Sequence, residues 1–360
     1  MINLLSPVAA SLKPRAGFLL FALSLLFFTG SCAAPQDTDL NLAGTGLEQV
    51  IVWPQPPQKP RIQYLKSISG PDDIEIKKSW LKKTFDDLLG KEERNIAMLR
   101  PYCVFGDADK IYVTDPGIQA VHIFEVVEKN YFQIRNFRGE ALLSPIGIAT
   151  DKSAIYLTDS MLKKVFVFDK KGNPLKEIGK PESFIRPTGI AIDEDRIYVV
   201  DTHGNRVSVF SKKDGNFLFQ FGKRGTDNGE FNYPTHIFIG KDKLLYITDS
   251  MNFRIQIFNR DGSFLSTFGR HGDGSGDFSK PKGISVDSEG HIYVADAQFD
   301  NVQIFDRKGR LLLVFGNTGR KKGQMVLPAG VFIDDRDRIY VADSFNKRVQ
   351  IFQYLTEQKQ

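Results

Sequence analysis

The sequence predicts an all-β fold: a six-bladed β-propeller closed by an N-terminal strand, with one amphipathic helix before the first blade. A strand-like run with tyrosine second and aspartate last recurs six times, at Ile111–Asp115, Ile155–Asp159, Ile197–Asp201, Leu245–Asp249, Ile292–Asp296 and Ile339–Asp343. The copies stand 42 to 48 residues apart. A period in that range marks a repeat array whose units cannot bury their faces alone and must stack on one another. The last copy runs out of chain after Phe352, whereas Arg61–Ile68 has strand character ahead of the array. Pairing that segment onto the sixth copy closes the ring and leaves no free edge.

Composition is compatible with one such body. The 360 residues are 41% hydrophobic, with 29 Phe and 11 Tyr, enough aromatic material for packed sheets. The formal charge of +5 falls to about +3 without Lys13 and Arg15, too mild to indicate a nucleic acid. Two cysteines exclude a disulfide framework. Cys103 has no obvious partner and is expected to be a buried, inert thiol.

Residues 1–31 have the make-up of an export signal. Lys13 and Arg15 precede the apolar run Phe18–Phe28, and Thr29, Gly30 and Ser31 lead to Cys32. The run is too short for a bilayer, which needs ~20 residues, but suits a cleaved leader. The cysteine after small residues resembles a bacterial lipoprotein signal, which implies acylation of Cys32. Ala33, in place of Asp, implies the outer membrane of a Gram-negative envelope. Residues 32–60 then form a Pro-rich tether, in which the apolar Val50–Trp53 patch is expected to dock on the body.

Residues 281–316 display the repeat unit most clearly. Pro281 to Asp287 opens it, His291 to Asp296 is the second strand, Asn301 to Phe305 the third and Arg310 to Gly316 the fourth. The succession Pro-x-Gly-Ile, Ile-Tyr-Val-x-Asp, Val-x-Ile-Phe, Phe-Gly closely resembles the NHL-repeat family, in six copies over residues 101–352. The resemblance implies the propeller but not a function. The expected layout is a closing strand at 61–68, a helical insertion at 70–100, repeats over 101–354 and a tail at 355–360. Trp80, Leu81, Phe85, Leu88 and Leu89 share one stripe of the insertion, and Gly90 stops it. With the face carrying the 4→1 and 2→3 loops taken as the upper one, Arg61 starts at the lower face. The tether is expected to leave there, with the upper face turned away from the membrane.

Candidate sites are sought where the six-fold pattern breaks. The repeated aspartates are expected to hold turn N–H groups, with Lys164, Arg206, Arg254 and Arg348 pairing to them. Two residues after the opening proline, four copies have glycine (Gly147, Gly189, Gly283 and Gly330), and the other two have Cys103 and His236. These two fall on opposite walls of the channel, and His236 is the candidate ligand contact. Three 4→1 loops share a Gly-x-x-Gly-x-x-x-Gly-x-(Phe/Met) pattern and raise a rim carrying Lys223, Arg224, Arg270, Arg320, Lys321 and Lys322.

These features point to a lipid-anchored, exported propeller that binds an envelope protein, peptide or glycan through its upper face, with no cofactor. The alternative is a metal-dependent lyase or hydrolase with an axial site near His236. Of five histidines (His122, His203, His236, His271 and His291) only His236 opens a first strand, so a three-histidine zinc site is not assembled. No Gly-x-Ser-x-Gly or His-Glu-x-x-His motif is present. Nucleic-acid binding is disfavoured by export and by the scarcity of aromatics among the basic residues.

Overall fold

A computed structural model describes residues 50–74, 97–107, 109–180 and 182–356. The leader, Cys32 and the proposed helical stripe from Trp80 to Leu89 lie outside the described residues. Of the insertion, the 3-10 turn Pro71–Ile74 and residues 97–100 are described.

Six antiparallel sheets make the ring. Their inner strands are Val104–Gly106, Pro145–Thr150, Pro187–Ile192, Pro234–Ile239, Pro281–Val286 and Pro328–Ile333, each in contact with the next around the axis. Blades one to five are continuous in sequence, each with four strands. In blade six, Ile62–Ile68 lies antiparallel against Arg348–Tyr354. Val52–Trp53 adds a fifth strand outside it.

That fifth strand corrects the expected course of the tether. Val52 faces Gln63 and Trp53 faces Ile62, so the chain descends the outer edge of blade six before turning at the lower face. Trp53 packs on Phe315 and Phe352, with ring centroids 5.9 and 5.7 Å away. Burial of this apolar patch outweighs leaving it in a free linker. Val50 therefore lies part-way up the outer edge, and the described residues do not separate tether and upper face as expected.

The core lies between blades. Each of six apolar clusters mixes residues from two consecutive sheets: Tyr112 and Val121 of blade one, for example, pack with Ile148, Leu157 and Phe166 of blade two. The repeated tyrosine fills this seam, and in blades two to six its hydroxyl reaches the aspartate of its own 1→2 turn, as in Tyr293–Asp287 and Tyr340–Asp334, both 3.1 Å; the Tyr112 hydroxyl of blade one has no such partner. Near the axis the inner strands approach so closely that a Cβ on Gly147 would lie 2.0 Å from the Thr188 carbonyl oxygen. Side-chain hydroxyls cross the same seams: Thr158 donates to Thr188 O (2.6 Å) and Thr248 to Lys282 O (2.7 Å).

Substituting Gly147→Ala is expected to destabilise the ring by about 2–4 kcal/mol, because a rigid backbone oxygen must move. A urea titration showing a midpoint unchanged from wild type would contradict this account of the seam.

Candidate functional site

The six repeated aspartates are structural. Each is fully buried and accepts N–H groups from the residues just before the opening proline. Asp296 takes Ser279 N (2.8 Å) and Lys280 N (2.9 Å), and Asp201 takes Ile185 N (3.0 Å) and Arg186 N (2.8 Å). Arg254 and Arg348 pair with Asp249 and Asp343 at 2.8 Å, and Arg206 approaches Asp201 at 3.4 Å. Lys164 departs from the expectation and joins Glu140 (2.8 Å) and Glu177 (3.6 Å) instead. In blade one, buried His122 lies 3.4 Å from Asp115, a pairing that sequence reasoning missed. His122 stands at the register of Gln256, Gln303 and Gln350, and that alignment was the available signal.

The long 4→1 loops are locked rather than open. Phe231, Phe278 and Met325 are fully buried. Gln256, Gln303 and Gln350 donate to Glu230 O, Asp277 O and Gln324 O at 2.7, 3.0 and 2.6 Å. The rim cations above them are mostly engaged: Lys223 with Glu230 (3.0 Å), Arg270 with Asp277 (2.7 Å) and Arg320 over the Phe345 ring (5.8 Å). Backbone contacts fix two more rim positions: Arg224 forms a parallel bridge to Phe231, and the Lys321 backbone N–H donates to Gln324 Oε1 at 3.1 Å. These residues and Lys322 lie on the loops, away from the axial cavity.

The axis contains a cavity of ≈ 660 Å³. Its inner end lies at Cys103, Gly189 and His236, and its mouth lies among 1→2 turns at Asp107, Lys241, Ser288 and Asp335. The cavity therefore opens on the lower face, opposite the rim. Of the residues singled out by sequence, His236, Cys103 and the axial Gly189 line it, and the rim cations do not. Its walls are Val, Ile and Phe, and they are lopsided. Phe105, Phe238 and Phe332 stand on blades one, four and six, whereas Ala149 and Ala191 leave space on blades two and three. Phe105 and Phe332 rings are 4.1 Å apart.

The upper end is stoppered. The Tyr102 and His236 rings, from opposite blades, stack across the channel at 5.6 Å and 14°. Lys282 Nζ lies 5.3 Å from the Tyr102 ring centroid. Burial, with Lys282 nearby, pulls the His236 imidazole down to about 3, so it is neutral at physiological pH. Burial also pushes the Cys103 thiol up to about 11 and pulls Lys282 down to about 8. An un-ionised thiol is a poor nucleophile. Both His236 ring nitrogens are buried without a hydrogen-bond partner.

Among the described residues, the group with metal-ligand spacing is Asp193, Glu194 and Asp195, which directly follows the lining residue Ile192 on the 1→2 turn of blade three but does not itself line the cavity. It is already occupied by cations: Arg260 bonds Asp193 (2.7 Å) and also Asp195, while Lys243 pairs with Glu194. No cluster of ligands gathers about His236 among the described residues, so a metal centre does not fit there.

Because His236 is neutral when folded and its ordinary value is 6.5, the unfolded chain binds one more proton between these limits. The contribution is fully retained above about pH 6.5 and is lost as pH falls toward about 3. Urea titrations of His236→Phe are expected to show a shallower loss of stability than wild type between pH 7 and 4.5, by roughly 1 kcal/mol per pH unit at the acid end. Parallel pH profiles for the two proteins would refute the neutral assignment.

With the fold and cavity described, comparison with known proteins is informative about architecture. A family model described as 6-bladed beta-propeller matches residues 139–207, 184–244 and 241–306, and the NHL repeat model matches 326–352. None of the curated proteins matches the chain. Among solved structures, an auxiliary nutrient binding protein from Bacteroides thetaiotaomicron aligns with a TM-score of 0.58 at 12% identity, covering 72% of this chain and 70% of its own. A protein of unknown function from the same organism gives 0.56 at 18% identity, covering 71% and 70%. Virginiamycin B lyase from Staphylococcus aureus gives 0.53 at 15%, covering 71% and 96%. Identities this low speak for the fold alone. Repeat signature, family matches and six observed sheets agree that this chain is a six-bladed β-propeller built of NHL-type repeats.

Proposed function

We propose that the protein is an exported, Cys32-acylated binding module whose upper face holds a protein or peptide segment that is apolar with acidic flanks. One observation carries this reading: the upper face presents an apolar collar interleaved with cations. Just before the opening prolines, Leu99, Ile185, Tyr233 and Leu327 are exposed by 45, 51, 41 and 43%. On the 2→3 turns of blades two, four and six stand exposed Met161, Met251 and Phe345. The residues directly before proline in blades one, three and five are the exposed cations Arg100, Arg186 and Lys280. Exposed apolar side chains gathered on one face among polar groups are a mark of interaction surfaces.

Backbone strain supports the same reading. Tyr233 and Leu327 both hold φ of 52°, a left-handed conformation that costs bulky residues of order 1–3 kcal/mol. Their N–H groups are turned onto the preceding blade, donating to Asn205 Oδ1 (2.9 Å) and Asp300 Oδ1 (2.8 Å). The strain keeps two large apolar side chains in solvent, where folding gains nothing from them. The enzyme alternative near His236 has no ligand cluster to support it.

The test uses the full chain with its leader. A photo-crosslinking residue at Ile185 or Met251 is expected to yield a discrete envelope adduct, while one at the outer-strand residue Leu312 is not. Replacing Leu327 and Phe345 by serine should abolish the adduct, and Cys32→Ser should move the protein from the membrane to the soluble fraction. Equal adducts at all three positions would defeat the collar reading.

A further inference from the structure

We propose that the upper end of the axis, above the Tyr102–His236 stopper, is a carboxylate-binding site centred on the Lys282 ammonium group. It deepens the collar reading, and rests on it only in taking the body of the ligand to be apolar. Lys282 follows Pro281 on the inner strand of blade five, where the other blades have Tyr102, Ile146, Thr188, Thr235 and Ala329. The lysine is a single break in the pattern, at the place where the channel is closed. Its Nζ lies 5.3 Å from the Tyr102 ring centroid, a cation–π contact. Among the described residues its side chain makes no ion pair and no hydrogen bond. Nζ is not sealed off: the buried polar atoms without a partner include both His236 nitrogens but not this one. Lys282 does not line the cavity that opens below, so a ligand reaches it from the upper face.

The surrounding charge is of one sign. Burial and then Lys280 pull Lys282 down to about 8, and burial and then Lys282 pull His236 down. Burial and Cys103 push Tyr102 up, with Arg186 opposing them. No carboxylate acts on any of the three. Lys280 has no ion pair among the described residues, and Arg186 touches His203 at 3.3 Å rather than an acid. The repeated aspartates at this end are committed to turn N–H groups, as Asp296 is to Ser279 and Lys280. An ammonium partly withdrawn from water without a counter-charge is costly, and alanine or threonine at this register would avoid the cost. A bound anion offsets it, drawn in by the field of the three cations. Because the aspartates already take the turn N–H groups, no backbone nest remains there for a phosphate. One ammonium with two flanking cations suits the two oxygens of a carboxylate. Tyr233 and Leu327, exposed on the blades either side of blade five, offer contact to an apolar body. A chain terminus and an acidic side chain can both present such a group.

Acetylation of Lys282 by acetic anhydride at pH 8, followed by mass spectrometry on the full chain, reads the site without any substitution. At constant ionic strength, phenylacetate is expected to slow it saturably, by about fivefold, because a paired ammonium holds its proton more tightly. Phenylacetamide should leave the rate unchanged, and exposed Lys308 on a lower turn should respond to neither. Acetyl-Leu-Leu-Phe as the free acid and acetyl-Leu-Glu-Phe amide offer the carboxylate at a chain end and on a side chain, and the stronger protector identifies the source. In calorimetric titrations that peptide should bind about tenfold more tightly than acetyl-Leu-Leu-Phe amide. Lys282→Met, which keeps an unbranched chain over Tyr102, should erase the preference; if this variant does not fold, the labelling result decides alone. No slowing by phenylacetate, or equal slowing by phenylacetamide, would overturn the proposal, as would an undiminished acid preference in Lys282→Met. Stronger protection by inorganic phosphate than by phenylacetate would overturn the ligand class. Intact collar crosslinks without protection of Lys282 would remove the axial site alone, and protection without crosslinks would remove the collar alone.

Discussion

The contact between consecutive blades is the constraint on which the rest of the molecule depends. No blade has an apolar core of its own; each cluster is made by two sheets facing each other. The repeated tyrosine fills the seam and pins a lower turn, the repeated aspartate holds the upper loops, and axial glycines let the inner strands meet backbone to backbone. Once those positions are fixed, six sheets close into a ring with little freedom. Every departure from the repeat then becomes a change at one place on a rigid frame.

Two kinds of departure matter. At the axis, Cys103 and His236 replace glycine, and Tyr102 joins them to close one end of the channel while the other stays open. On the upper face, residues flanking the opening proline and the turn aspartate alternate between apolar and cationic around the ring. One change makes an enclosed concavity; the other makes a broad, exposed surface.

The repeat made most of the fold legible. Strand order, the role of the turn aspartates, and the inward-facing Phe231, Phe278 and Met325 all follow from local spacing that repeats identically. Long-range consequences were harder to read. Docking of the Val50–Trp53 patch was expected from its apolarity, but that it docks as a fifth strand depended on Phe315 and Phe352 lying side by side across a sequence gap. That Lys164 would join Glu140 and Glu177 depended on two carboxylates brought beside it from other strands. The candidate site was half legible: His236 and Cys103 stood out as breaks in a pattern. Which end of the channel stays open could not be seen, because it depends on Tyr102 reaching across from the opposite wall. The collar was overlooked because its members are unremarkable one at a time and gain meaning only when their loops are gathered around an axis.

The sixth sheet joins the earliest strand of the array to the latest. During synthesis Ile62–Ile68 emerges with one hydrogen-bonding edge bare and must wait for Arg348–Tyr354 to be made and brought to it. Until then the chain has a gap on one side and a lone apolar ribbon on the other, a state prone to pairing with neighbours. Biogenesis of this protein is thereby bound to arrival of its C-terminus, and a chain truncated by even one strand would be left unlatched rather than slightly smaller.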